Sequence, residues 1–224
     1  VLHCTPVARA IKKTAPSCHI TWIVGSVSAD ILAGNPYIDE VYIWSREHWE
    51  KLMRQYRFSE ALAYWQKLRV DMHQRSFDTA IDIHGIFISG LVMLATGARR
   101  KIGLKNTREL NSRFVTEQAS LPPEGPHVIQ RYISVLPNLG IRPDGYDMDL
   151  VPTHDAVQYA DALLHELGYN PSIPLVAISP RTTWATKNWP PEYFATAAQD
   201  LAGQAQLLLC GGPGDIPVAE EIIR

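Results

Sequence analysis

The chain has 224 residues, 46% hydrophobic and 20% charged, with a formal net charge of −2. This is the composition of an ordinary globular protein, too apolar for disorder and without the basic excess of a nucleic-acid binder. No apolar run approaches the roughly 20 residues that span a bilayer. Cys4, Cys18 and Cys210 are an odd, widely spaced set with no CxxC pair, which excludes a disulfide framework and a cysteine zinc site and fits a reducing compartment. The length allows one large domain or two small ones.

Val1-Leu2-His3 opens without Met and without a signal-peptide pattern, and it reads as mid-element sequence with residues expected upstream. A helix is expected to start near Cys4–Pro6 and to end in Lys12-Lys13, followed by a strand over 19–24. A second helix over 27–32, a strand over 40–44 and a long amphipathic helical stretch over 46–74 come next. Residues 77–83 read as a buried strand ending at His84-Gly85, 87–95 as an apolar helix and 99–104 as a strand. A polar loop or short helix over 106–113, a proline-rich loop around Pro122–Pro126, a helix over 127–139 and a linker over 140–152 complete the first region.

The pattern then restarts with a helix over 154–167 closed by Gly168, a strand over 174–179, a helix over 190–201, a strand over 206–210 and a last helix over 216–224. Alternating strands and helices imply an α/β protein with parallel sheets. Two strands do not make a stable domain, so the second region is expected to continue past Arg224.

Two loops at strand ends carry the chemistry. Residues 179–191 (SPRTTWATKNWPP) place hydroxyls, backbone amides and Lys187 between a strand and a helix, where α/β sheets bind ligands; that set suits a phosphate. A capped polar surface loop explains it equally well. Residues 211–215 (GGPGD) follow the next strand, and there a close ligand approach competes with a plain turn and N-cap. In the first region Asp82 reads as a buried acid accepting loop amides. His84 is the more exposed candidate, though a lone histidine is more often structural, and Arg46, Lys51, Arg54 and Arg57 form a cationic helix face that for most of them reads as a solvated helix surface. Arg108 and Arg131 would be the forks for an anionic substrate. No HExxH, P-loop or GxSxG is present and no histidine pair has metal-ligand spacing, so no metal site is expected.

These motifs resemble glycosyltransferase family 9, the ADP-heptose:lipopolysaccharide heptosyltransferases. The likeness runs along the whole chain. Residues 1–7 are similar to the segment that follows the family's N-terminal Gly-Asp. Residues 20–24 and 34–41 are similar to its next strand, loop and strand, and Phe77-Asp78 through Asp82-Ile83-His84-Gly85 to its YDxxIDxxG strand. Pro180 through Pro190 resembles its TK-x-WP donor loop, and Leu207 through Asp215 its LLGGPG-acid turn; these two, in this order and spacing, are the more specific.

The resemblance implies a GT-B fold of two Rossmann-like domains, here 1–145 for the acceptor and 146–224 for the nucleotide sugar, both incomplete. It implies inverting transfer of heptose from ADP-L-glycero-D-manno-heptose to the inner core of lipopolysaccharide, with no cofactor and no metal. Thr182, Thr183, Lys187, Gly211, Gly212 and Asp215 would bind the donor, Lys187 stabilising the diphosphate. Arg46, Arg108 and Arg131 would face a lipid-linked core oligosaccharide. The protein would act in the cytoplasm, touching the inner membrane peripherally through a basic face such as Arg46 to Arg69. The family's base is expected just before Val1 and a later donor loop beyond Arg224, so the chain as given is expected to be inactive. A non-catalytic nucleotide-sugar binding module and another GT-B-like enzyme, such as a nucleotide-sugar epimerase, are the competing readings.

Overall fold

Pro6 lies in the first turn of helix α1 (Thr5–Thr14), where its missing N–H leaves no bond unmade, and Lys12 and Lys13 close the helix beside its negative end. The computed structural model describes the chain except residues 106, 108, 122–126 and 224. It divides into two compact units, Val1–Thr153 and His154–Arg224.

In the first unit β1 (Thr21–Val24) and β2 (Glu40–Ile43) pair in parallel. The helix expected over 27–32 is only a 3₁₀ turn, Ser26–Ser28, followed by further turns. Val27 points to solvent there, while Ala29 and Leu32 are buried, and a spacing of three is met by a tight turn as well as by a helix. The stretch over 46–74 is two helices, α2 (Arg46–Arg54) and α3 (Phe58–Arg75). They are separated at Tyr56, whose φ of 57° lies in the left-handed region and reverses the chain without glycine or proline.

A second sheet has the order β3-β4-β5, all parallel, from β3 (Thr79–Asp82), β4 (Arg100–Leu104) and β5 (Glu117–Ala119), with α4 (Phe87–Ala95) crossing between the first two. The helix expected over 127–139 is α5 (Val128–Ile133) followed by a 3₁₀ turn, Leu136–Leu139. Pro137, which has no N–H for an α-helical bond, sits at the start of that turn.

Three clusters fill this unit. Val7 and Ala10 of α1 pack with Ile102, Leu104, Ala119 and Leu136. Trp44 packs with Leu68, Met72, Ile88 and Ala95, and Val24 with Ala29 and Leu32. The segment expected as a linker has no regular structure but is docked. Arg9, 6% exposed, donates from Nη1 to Asp149 Oδ1 and to the Asp147 carbonyl, each at 2.7 Å, and from Nε to Asp144 at 3.3 Å. Asp149 N–H donates to Thr5 Oγ1 at 2.8 Å. These bonds hold 144–149 against α1, so the division falls after Thr153 and not at the expected residue 145.

The second unit holds α6 (His154–Glu166), β6 (Leu175–Ile178), α7 (Pro191–Leu201), β7 (Gln206–Leu209) and α8 (Ile216–Ile223). Gly168, at a φ of 74°, ends the turn after α6 as expected. β6 and β7 pair in parallel, with Ile178 opposite Leu209.

Candidate functional site

Because Ile178 and Leu209 end neighbouring parallel strands, the loops that follow them leave the sheet side by side. The first, 179–190, is folded by its own side chains. Thr182 N–H donates to Asn188 Oδ1 at 2.8 Å, and the Thr182 hydroxyl accepts from Trp184 N–H at 3.2 Å and lies 3.0 Å from the Trp184 carbonyl oxygen. Lys187 N–H closes a 3₁₀ turn, Ala185–Lys187, on that same carbonyl at 2.9 Å. Pro190 and Pro191 then start α7. Thr183 and Lys187 are exposed, and the Lys187 ammonium has no hydrogen-bond or ion-pair partner among the described residues.

The second loop turns on Asp215, whose Oδ2 accepts Gly212 N–H at 2.9 Å. A side chain on Gly211 would place its Cβ 2.9 Å from Asp215 Cβ, so glycine is what lets the loop close there. Arg181 ties the loops together. It donates from Nη1 to the Gly214 carbonyl at 3.1 Å and stands 3.7 Å from Asp215 Oδ1 through Nε. Of the six residues named from the sequence for the donor, Thr183 and Lys187 are exposed. Thr182 and Asp215 are engaged in shaping their loops, and Gly211 and Gly212 form the turn. Sequence reasoning gave no role to Arg181 or Asn188. The only trace of their role was position, Arg181 immediately before the two threonines and Asn188 immediately after the lysine.

In the first unit Asp82 ends β3 and is buried. Its Oδ1 accepts His84 N–H at 2.9 Å and Gly85 N–H at 3.1 Å, and its Oδ2 accepts from the Ser89 hydroxyl at 2.8 Å and Asn111 Nδ2 at 2.7 Å. Four donors on one carboxylate make it the organiser of the loop after β3, and the buried-acid reading holds. Gly85 has a φ of 73°, and a Cβ there would sit 2.6 Å from Thr107 Cγ2. His84 is exposed. Arg46 is exposed at the start of α2, donating from Nε to Glu50 Oε1 at 2.6 Å. Arg131 is half-buried in the last turn of α5. Arg108 lies outside the described residues. Among the described residues no group of three His, Cys, Asp or Glu side chains is arranged to hold a metal ion.

The model of glycosyltransferase family 9 (heptosyltransferase) matches residues 65–224. The chain belongs to glycosyltransferase family 9. That match takes in both strand-end loops, together with β3 and Asp82. Lipopolysaccharide heptosyltransferase 1 of Pseudomonas aeruginosa is 26% identical over 210 residues, which are 90% of this chain and 54% of that protein. The chain therefore spans about half the length of the curated relative it matches. A family 9 glycosyltransferase from Veillonella parvula superposes with a TM-score of 0.85 at 19% identity, over 99% of this chain and 62% of its own. The E. coli heptosyltransferase WaaC with ADP-2-deoxy-2-fluoro heptose superposes with a TM-score of 0.77 at 21% identity, over 100% of this chain and 69% of its own. The expected fold class stands: the mixed α/β architecture with parallel sheets is that of the GT-B family 9 enzymes, over part of whose length this chain superposes.

Proposed function

We propose that the protein is a heptosyltransferase that takes heptose from ADP-L-glycero-D-manno-heptose and adds it, with inversion, to the lipid-linked inner core of lipopolysaccharide. The observation that carries the donor half is the pair of adjacent loops in which Lys187, without a side-chain partner among the described residues, is presented on a turn fixed by Thr182 and Asn188. A diphosphate leaving group gains negative charge as the glycosidic bond breaks, and a cation held at that point lowers the barrier without a metal. Lys187 supplies that charge, and Thr183 and the loop amides orient the phosphate oxygens. Thr182 acts one step back by holding the turn. Asp215 reaches a ribose hydroxyl through the oxygen that now faces Arg181.

The acceptor hydroxyl attacks the anomeric carbon from the face opposite the diphosphate. Its proton passes to a base and ADP departs. The acceptor side is carried by the arginines of the first unit, Arg46, Arg108 and Arg131, whose planar forks match phosphate and carboxylate groups. The division of labour is therefore acceptor on 1–153 and donor on 154–224. The protein acts in the cytoplasm, at the inner face of the inner membrane.

An equilibrium titration with ADP-heptose tests the donor half, comparing the chain with Lys187→Ala. Removing one charge-assisted contact costs about 2 kcal/mol, a loss of roughly thirtyfold in affinity. Unchanged affinity removes Lys187 from the site.

A further inference from the structure

The α2–α3 hairpin carries large apolar side chains, some packed against the Trp44 cluster and others left exposed among the described residues. Trp49 and Met53 are four apart on α2, and Phe58, Leu62 and Trp65 follow helical spacing on α3. Together with Leu91 of α4 they line one open groove. Phe58 is 54% and Leu62 56% exposed, and at the turn between the helices Tyr56 is 81% exposed, its ring edge-on to Phe58 with centroids 6.0 Å apart. The same spacing puts Arg46 one turn before Trp49 and Arg69 one turn after Trp65, both exposed. Each apolar stripe thus ends in an arginine at its base, and Arg54 and Arg57 flank the turn; Arg46 and Arg54 share Glu50 and Arg57 pairs with Glu60, all at exposed positions where water and salt screen the pairs. Over 46–75 seven Lys and Arg stand against four Asp and Glu, in a chain whose net charge is −2.

Exposed apolar surface ringed by polar groups marks an interaction site. Its net positive charge favours an anionic partner, while its Trp, Tyr, Phe, Leu and Met call for an apolar one. A bilayer containing anionic phospholipid offers both at the right depth. Aromatic rings settle at the level of the headgroups and the arginine stems reach up to the phosphates. We propose that this face of the α2–α3 hairpin is a docking surface for an anionic phospholipid bilayer. The proposal deepens the reading of a lipid-linked acceptor, and its choice of partner rests on that reading. The hairpin docks through its apolar face, and the basic residues give the attraction its charge dependence.

The test is co-sedimentation of the protein with vesicles of phosphatidylcholine, with and without phosphatidylglycerol, in the absence of any sugar or nucleotide. Binding is expected to the mixed vesicles and to weaken as salt is raised. Phe58→Asp with Leu62→Asp should lower it at least tenfold. Tyr56→Asp, at a backbone position that aspartate tolerates, should lower it on its own. Arg54→Gln and Arg69→Gln should each lower binding to the mixed vesicles about fivefold and leave the weak binding to neutral ones unchanged. The altered side chains are exposed, so an unchanged unfolding temperature confirms that each variant is folded.

Absence of binding to the mixed vesicles overturns the proposal, as does binding indifferent to both aspartate variants. A concentration-dependent dimer lost in those variants while vesicle binding persists also overturns it, assigning the face to a second copy. ADP-heptose titration reads the donor site separately, so a failure of vesicle binding is distinguishable from a failure of the glycosyltransfer reading.

Discussion

The two units are held together in different ways. In the first, side chains far apart in sequence meet in buried clusters, and a buried arginine near residue 10 is satisfied by carboxylates near residue 145. In the second, the two strands pair but burial is slight. Among its described residues the buried ones are Pro180 and Ile222, and its strand residues Leu175 and Leu207 are 37% and 36% exposed. The loops after β6 and β7 sit on the lightly packed unit and are folded by hydrogen bonds within themselves and by Arg181 between them. The tightest packing and the loops proposed for the donor thus lie on different parts of the chain. Substitutions should separate the two, with large effects on unfolding in the first unit and large effects on ligand binding in the second.

The largest stability effect is expected from Leu68→Ala. Leu68 is fully buried in the Trp44 cluster, and its truncation should cost about 3 kcal/mol or more in denaturant unfolding. Leu207→Ala, on a partly exposed strand, should cost about 1 kcal/mol or less. Equal losses would erase the contrast between the units. Arg9→Met should cost about 3 kcal/mol, because it leaves the Asp149 and Asp144 carboxylates without their guanidinium. It should also free residues 144–149 for fast hydrogen exchange, which mass spectrometry reads directly.

Acidification should weaken the first unit next. Burial pushes the Asp144 carboxyl up, but hydrogen bonds from Lys13 and Arg9 outweigh it and hold the group below its ordinary value of 3.8. Asp39 is held down by the Ile20 N–H and then by Lys12. A carboxyl whose folded value is depressed adds stability above its unfolded value and loses it as pH falls through the folded one. Unfolding free energy should therefore drop as pH is lowered through and below 3.8, and the part due to Asp144 should shrink in Arg9→Met. The smallest stability effect belongs to Arg181→Leu. Its ion pair is exposed and should contribute under about 1 kcal/mol to unfolding. By loosening the two loops it should nevertheless weaken ADP-heptose binding severalfold.

What was legible in the sequence was local. Most of the order of helices and strands followed from apolar periodicity, and the two strand-end loops proposed for the donor were picked out by residues 180–190 and 207–215, each a continuous run. Asp82 was legible as a buried acid because the strand before it is apolar and His84-Gly85 turns directly after it. Three kinds of feature were not legible. The Arg9 clasp joins residues 135 to 140 positions apart, and the composition of 140–152 reads as a linker even though it is docked. β5 is three residues long and reads Glu-Gln-Ala, with one buried position and no apolar run. The break between α2 and α3 uses a tyrosine at positive φ, where glycine, proline or asparagine would have announced it. On the site itself, the residue types were visible but their partners were not. Only the folded loops show that Thr182 and Asp215 are engaged while Thr183 and Lys187 are open.

Hydrogen exchange of the protein with and without saturating ADP-heptose tests most directly whether the donor is held by the loops of the second unit. The account predicts slowed exchange of the amides over 181–189 and 210–215, with no change over α2 and α3. Protection confined to the first unit, or none over 181–189, would contradict it.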